Sequence, residues 1–191
     1  MNPSPSQPPQ THPGEQKQHA DHPPAPGVSP ERLTVDPGAS VVVFLIGMRV
    51  NHWWMLPTIW AVAAAMGRML AELSRKPEAG LLSYESYAGR TTLALQYWRS
   101  LDDLQRYAHA KENQHVPAWR RWMQRTGLDG AIGIWHETYL IGPGQHECVY
   151  VHMPAFGLGA ALPRIPAVGT LKTARGRLDV GRLAHLQPAA P

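Results

Sequence analysis

Residues 41–48 read Val-Val-Val-Phe-Leu-Ile-Gly-Met, eight positions without one polar side chain. A strand sends alternate side chains to opposite faces, so a strand with this sequence needs apolar cover on both sides. Asn51 and His52 end the run, and it falls well short of the roughly 18–20 apolar residues of a membrane span. A doubly buried strand over 40–50 is the constraint that every other element has to meet.

The rest of the middle of the chain supplies partners. Pro57 suits a first helical turn, and Ile59, Val62, Ala63, Met66, Met69, Leu70 and Leu73 recur at helical spacing, which predicts a helix over 57–75. Residues 81–87 and 91–99 read as two strands joined at Ala88-Gly89-Arg90, a hairpin. Ser100 is a good N-cap, with Asp102 and Asp103 in the following turn, where carboxylates suit the helix dipole. A second helical piece starts near Pro117, carries Trp119, Trp122 and Met123 at i, i+3 and i+4, and stops at Gly127. Residues 130–141 read as a strand, Pro143-Gly144 as a turn and 147–153 as one more strand.

The order β-α-β-β-α-β plus one strand is the ferredoxin-like arrangement of the α+β class, with both helices on one face of an antiparallel sheet. The other face of the doubly apolar strand then needs a cover. A second copy of the sheet would provide it, so the expected assembly is a homodimer, a dimeric α+β barrel.

The flanks look different. Ten of the 19 prolines fall in the first forty residues, with almost no large apolar side chain before Val28, so residues 1–39 are expected to form a disordered tail. That stretch has no basic start followed by an apolar run, as a signal peptide would. The formal charge of +4 and pI near 9.5 raise a nucleic-acid reading. Arg164, Lys172, Arg175, Arg177 and Arg182, however, face Asp179 alone beyond residue 162, which leaves the middle nearly neutral. Residues 163–191 are accordingly expected to be a basic solubilising tail, residues 40–162 the folded domain, and no nucleic-acid partner is expected. Trp53 to Gly67 is the nearest approach to a membrane span; Pro57 and Thr58 break it, and it reads as a core helix whose Trp53 and Trp54 could touch a membrane surface. Cys148 is the only cysteine, which excludes an internal disulfide and suits a reducing cytoplasm.

Generic motifs are missing: no Walker loop, no G-x-S-x-G, no paired C-x-x-C, no H-E-x-x-H and no His cluster with metal-ligand spacing. Histidine is the side chain suited to moving a proton near neutral pH. His136 and Glu137 lie mid-strand, and alternation allows only one of them into any given pocket. His136 shares a face with Ile134 and Thr138, whereas Trp135, Glu137 and Tyr139 share the other. His115 sits in a polar connector before the Trp119 helix, where it could line a pocket as a base or, with haem present, as an axial ligand. Gln96 and Trp98 share one face of their strand. Arg49 and Asn51 end the first strand, where they could bind a carboxylate or oxyanion. Each of these has a structural alternative: core aromatic, helix cap or turn residue.

Several spaced blocks together carry a family resemblance. They are Ile46-Gly47-Met48-Arg49-Val50-Asn51, Gln96-Tyr97-Trp98-Arg99-Ser100, Tyr107-Ala108 with His115 and Ala118-Trp119-Arg120, Gly133-Ile134-Trp135-His136-Glu137-Thr138-Tyr139, and Tyr150-Val151-His152-Met153-Pro154 with Phe156-Gly157-Leu158. In this order they resemble the fumagillin-cluster monooxygenase-like family, over about residues 43–161. His152 stands where the family pattern has Asn. The family is similar to the dimeric α+β-barrel proteins, which include antibiotic-biosynthesis monooxygenases, haem-degrading monooxygenases and aldoxime dehydratases.

The resemblance implies a monooxygenase acting with dioxygen on a small hydrophobic substrate, with no cofactor required because the substrate supplies the electrons. From the residues, His136 or His115 would be the base, Glu137 or Asn51 would orient it, and Arg49 would stabilise charge. Gln96, Trp98, Trp119 and Tyr139 would line the substrate. The alternatives are a haem-dependent lyase of the aldoxime-dehydratase kind or a haem-degrading enzyme, with His115 or His136 on the iron, and a non-enzymatic small-molecule-binding or stress module.

Overall fold

The computed structural model describes residues 27–109 and 130–186. Strand β1 (Arg32–Val35) precedes β2 (Val41–Val50), helix α1 (Leu56–Leu73), β3 (Leu81–Tyr87), β4 (Leu93–Trp98) and α2 (Leu101–His109). Then follow β5 (Ile132–Ile141), β6 (Tyr150–Val151), the short α3 (Leu158–Ala161), β7 (Arg164–Pro166) and α4 (Ala174–Leu186).

The expected β-α-β-β-α-β unit is present. Its four strands form an antiparallel sheet in the order β3-β4-β2-β5, the ferredoxin-like order, with the apolar β2 inside. β2 pairs with β5 over ten positions, from Val41 opposite Ile141 to Val50 opposite Ile132. The stretch around His136, expected in a central strand, lies instead in an edge strand, and residues 136–140 are exposed.

Register assigns the faces. Val42, Phe44 and Ile46 of β2 lie beside Trp98, Gln96 and Ala94 of β4 and look toward the helices. There Val42, Ala94 and Trp98 pack with Met69, Leu70 and Leu73 of α1 and with Leu104 and Tyr107 of α2. Fully burying a side chain the size of Leu73 stabilises the fold by about 1.5–3 kcal/mol. Ser100 caps α2 as expected: its Oγ accepts the Asp103 N–H at 3.1 Å.

The opposite face is where expectation and structure part. Val41 packs there with Val35 of β1 and Leu158 of α3, and Val43, Tyr97, Ile141 and Tyr150 join them. A second, three-stranded sheet of order β6-β1-β7 sits at this end, so the chain itself covers part of the face assigned to a second copy. The expected tails 1–39 and 163–191 therefore contain structure: β1 from one, and β7 and α4 from the other. Arg177, read as a tail charge, is 3% exposed, paired with Glu147, and donates to the Leu171 carbonyl at 2.6 Å. The strand expected over 147–153 shrinks to β6, because its partner is β1 and not the main sheet.

His152 follows β6 with φ of 51°, the one non-glycine residue with positive φ among those described. Asn adopts this left-handed conformation readily, so an Asn, expected here from the family resemblance, would suit the backbone.

Candidate functional site

β4 presents Gln96 and Trp98 on the helix side of the sheet, two residues apart. The Trp98 indole N–H donates to Gln96 Oε1 at 2.9 Å. Both side chains are 1% exposed. Gln96 Nε2 is buried and has no hydrogen-bond partner among the described residues. A buried amide donor left unpaired costs about 1–3 kcal/mol, so such a group marks a place where a ligand acceptor would be favoured.

Around this amide the helix face is largely apolar. Phe44 lies opposite Gln96 in register and Thr138 opposite Phe44. His136, opposite Ile46, brings its ring to 5.8 Å from that of Phe44. Tyr107 of α2 stands 5.8 Å from the Trp98 ring, and burial first, then the Glu72 carboxylate, pushes its hydroxyl pKa well above the ordinary phenol range. A depression of about 380 Å³ opens at the end of this face between Val42, Leu101 and Leu140; neither Gln96 nor His136 lines it.

The other expected site residues are elsewhere. Glu137 and Tyr139 lie on the opposite face, where the Tyr139 hydroxyl donates to Glu137 Oε2 at 2.6 Å. That bond, and the carboxylate's charge, raise the Tyr139 pKa. Arg49 shares this face and donates to Thr91 Oγ1 at 3.0 Å. Trp135 lies over Gly47, where a side chain would strike both the Thr92 carbonyl and the Trp135 indole. Asn51 donates to the Gly130 carbonyl at 2.8 Å, and its own N–H to that of Ala131 at 3.0 Å. It thus pins the end of β2 to the start of β5, the turn-residue alternative of its sequence reading. His115 and Trp119, with the helix expected from Pro117 to Gly127, lie outside the described residues.

The structure therefore brings Gln96, Trp98 and His136 to one face and sends Glu137, Tyr139 and Arg49 to the other. Phe44 and Tyr107 join the first group. No sequence signal singles them out, since both sit among apolar core positions. No cluster of three or more His, Cys, Asp or Glu side chains that could hold a metal occurs among the described residues.

The profile of the monooxygenase af470-like family matches residues 41–158. Monooxygenase af470 of Aspergillus fumigatus is 31% identical over 134 residues, 65% of this chain and 47% of the relative. The chain thus spans about half the length of that relative. Among solved structures, aldoxime dehydratase (OxdRE) in complex with butyraldoxime overlays with a TM-score of 0.57 at 12% identity, over 69% of this chain and 39% of that one. This is a likeness of fold. SnoaB, a cofactor-independent oxygenase from Streptomyces nogalater, overlays at 0.37 and 18% identity over 53% of this chain and 92% of its own. That overlap is too loose to carry a shared fold.

Proposed function

The chain belongs to the monooxygenase af470-like family, and from that premise we propose that it oxygenates a small hydrophobic substrate with dioxygen and without a bound cofactor. The supporting observation is the Gln96 amide: buried, oriented by Trp98, unpaired among the described residues, and on the same face as a histidine. Gln96 and His136 are two strands apart across β2 and offset by two residues, roughly 12 Å, which suits a substrate of two or three fused rings lying over Phe44.

His136 takes a proton from an activated CH₂ of the substrate. Gln96 Nε2 donates to the oxygen where the negative charge collects, so the anion is stabilised out of water. The anion passes one electron to dioxygen, and the two radicals combine into a C–O bond. Loss of water from the resulting hydroperoxide leaves a carbonyl. Both hydrogens of the CH₂ leave with the second oxygen atom as water, and no outside reductant is required. His115 remains a proposed second base and Trp119 a proposed wall.

Haem is the competing cofactor reading. The neighbours of His136 on its face are Ile46 across the strands and Ile134 and Thr138 along its own, none of them cationic. No step is routed through haem. We also propose that a second copy of the chain covers the rest of the open face, at Leu45, Trp135 and Tyr139, and that the protein works in the cytoplasm. Among the described residues, no helix is long and apolar enough to cross a membrane.

Oxygen uptake by the purified chain with enolisable polycyclic ketones tests the proposal, using ¹⁸O₂ to follow both atoms. One label in the product and one in water is the expected outcome. Probe binding without oxygen uptake would make the domain a binding module, and a Soret band with turnover only after haem addition would favour the haem reading.

A further inference from the structure

Four large apolar side chains stand in water within eight residues where β2 passes into α1. Trp53 is 72% exposed, Trp54 63%, Leu56 64% and Trp60 76%. Single exposed apolar residues are ordinary, but a group this dense marks a contact surface. Trp53 and Trp54 meet edge to face at 6.2 Å, and Trp54 stacks on His52 at 4.8 Å. Leu56 and Trp60 are i and i+4 on α1 and so share one face of it. The helix fully buries only Met69, Leu70 and Leu73, near its far end.

Among the described residues, the charge around this corner has one sign. Residues 41–71 contain Arg49 and, farther along α1, Arg68, and no Asp or Glu. Arg90 joins them in space: its carbonyl accepts the Val50 N–H at 2.8 Å, and its Nε donates to the Val50 carbonyl at 3.3 Å. All three arginines are exposed.

We propose that this corner docks the protein on the surface of an anionic phospholipid bilayer, with the indoles at headgroup depth and the arginines against phosphates. An indole has an apolar body and a polar N–H, which places it at a membrane interface. Basic side chains near an anionic surface strengthen binding by about fivefold each. A two-fold contact between copies through the same corner would set arginines against arginines. The docking stands independently of the proposed oxygenation.

The test is flotation of the full chain with phosphatidylcholine vesicles, with and without about one third phosphatidylglycerol. The wild-type chain is expected to bind the anionic vesicles at least about tenfold better, with binding weakened by salt. The triple variant Trp53→Ser/Trp54→Ser/Trp60→Ser should lose about tenfold or more, and Arg68→Gln/Arg90→Gln should lose the preference for anionic lipid. Circular dichroism and thermal melts show that the variants fold. The proposal fails if the wild-type chain does not float, or if the folded triple variant floats equally well. It also fails if the triple variant instead breaks up an oligomer in sedimentation, which would make the corner an interface between copies.

Discussion

Trp98 and Gln96 orient each other: the indole N–H donates to Oε1 at 2.9 Å, which leaves Nε2, at the other end of a buried amide, without a partner among the described residues. Gln96→Leu exchanges one unpaired buried donor, Nε2, for another, the Trp98 indole N–H, so stability should change by less than about 1 kcal/mol. Gln96→Leu/Trp98→Phe removes both polar groups and should raise stability by about 1–3 kcal/mol in thermal melts. Both variants should lose about 10²–10³ in turnover, the usual loss for a donor to a developing anion. A gain in stability with a loss of activity separates a ligand role from a packing role.

His136 and Glu137 are neighbours in sequence and face opposite sides of the sheet. His136→Ala should lower turnover about 10²-fold or more, the contribution expected of a positioned base. Glu137→Gln should leave turnover within a few-fold. It should instead lower the Tyr139 pKa toward the ordinary phenol value, since the Glu137 carboxylate is what raises it. Ultraviolet titration of the phenolate against a Tyr139→Phe control reads this directly.

Asp103 is held at a pKa of about 2. The Arg99 hydrogen bond is the largest cause; burial opposes it, and Ser100 and Arg106 add to the lowering. A carboxyl depressed in the folded state stabilises it fully above the unfolded value, near 4, and loses that effect as pH falls toward 2. Melting temperature should therefore fall between pH 4 and pH 2, and Asp103→Asn should flatten that part of the curve. At neutral pH the same variant should cost about 2 kcal/mol, as hydrogen bonds to a charged group are lost.

Arg177 ties α4 to the loop before β6 through Glu147 and to the turn before α4 through the Leu171 carbonyl. Arg177→Met should destabilise the chain by about 2 kcal/mol, because it removes the charged donor that binds Glu147 and the Leu171 carbonyl, while Glu147 itself is exposed to water. A chain ended at residue 163 loses β7 as well, and should melt lower still. Chemical denaturation of both variants checks this. If the truncated chain melts like the full one, residues 164–186 act as the basic tail the sequence suggested.

His152 holds a left-handed backbone conformation, which Asn adopts at less cost than most residues with a Cβ. His152→Asn should raise stability by up to about 1 kcal/mol and leave turnover unchanged. A fall in turnover would instead assign the imidazole a role.

Alternation and helical spacing were enough to read the β-α-β-β-α-β unit, the Ser100 cap and the split between His136 and Glu137, because these depend on neighbours within a few residues. The apolar run at 41–48 also stated correctly that both faces of β2 need cover. It could not say what covers the second face. Apolar area carries no address, and β1, drawn from a proline-rich flank, meets part of that demand with β6, β7 and α3. Pairing distant in sequence likewise decided that the His136 strand is an edge and that Arg177 is buried. The same kind of pairing left Gln96 with one satisfied end. A glutamine in a strand reads alike whether its amide is saturated or open, and only the packing of Trp98 against it settles which.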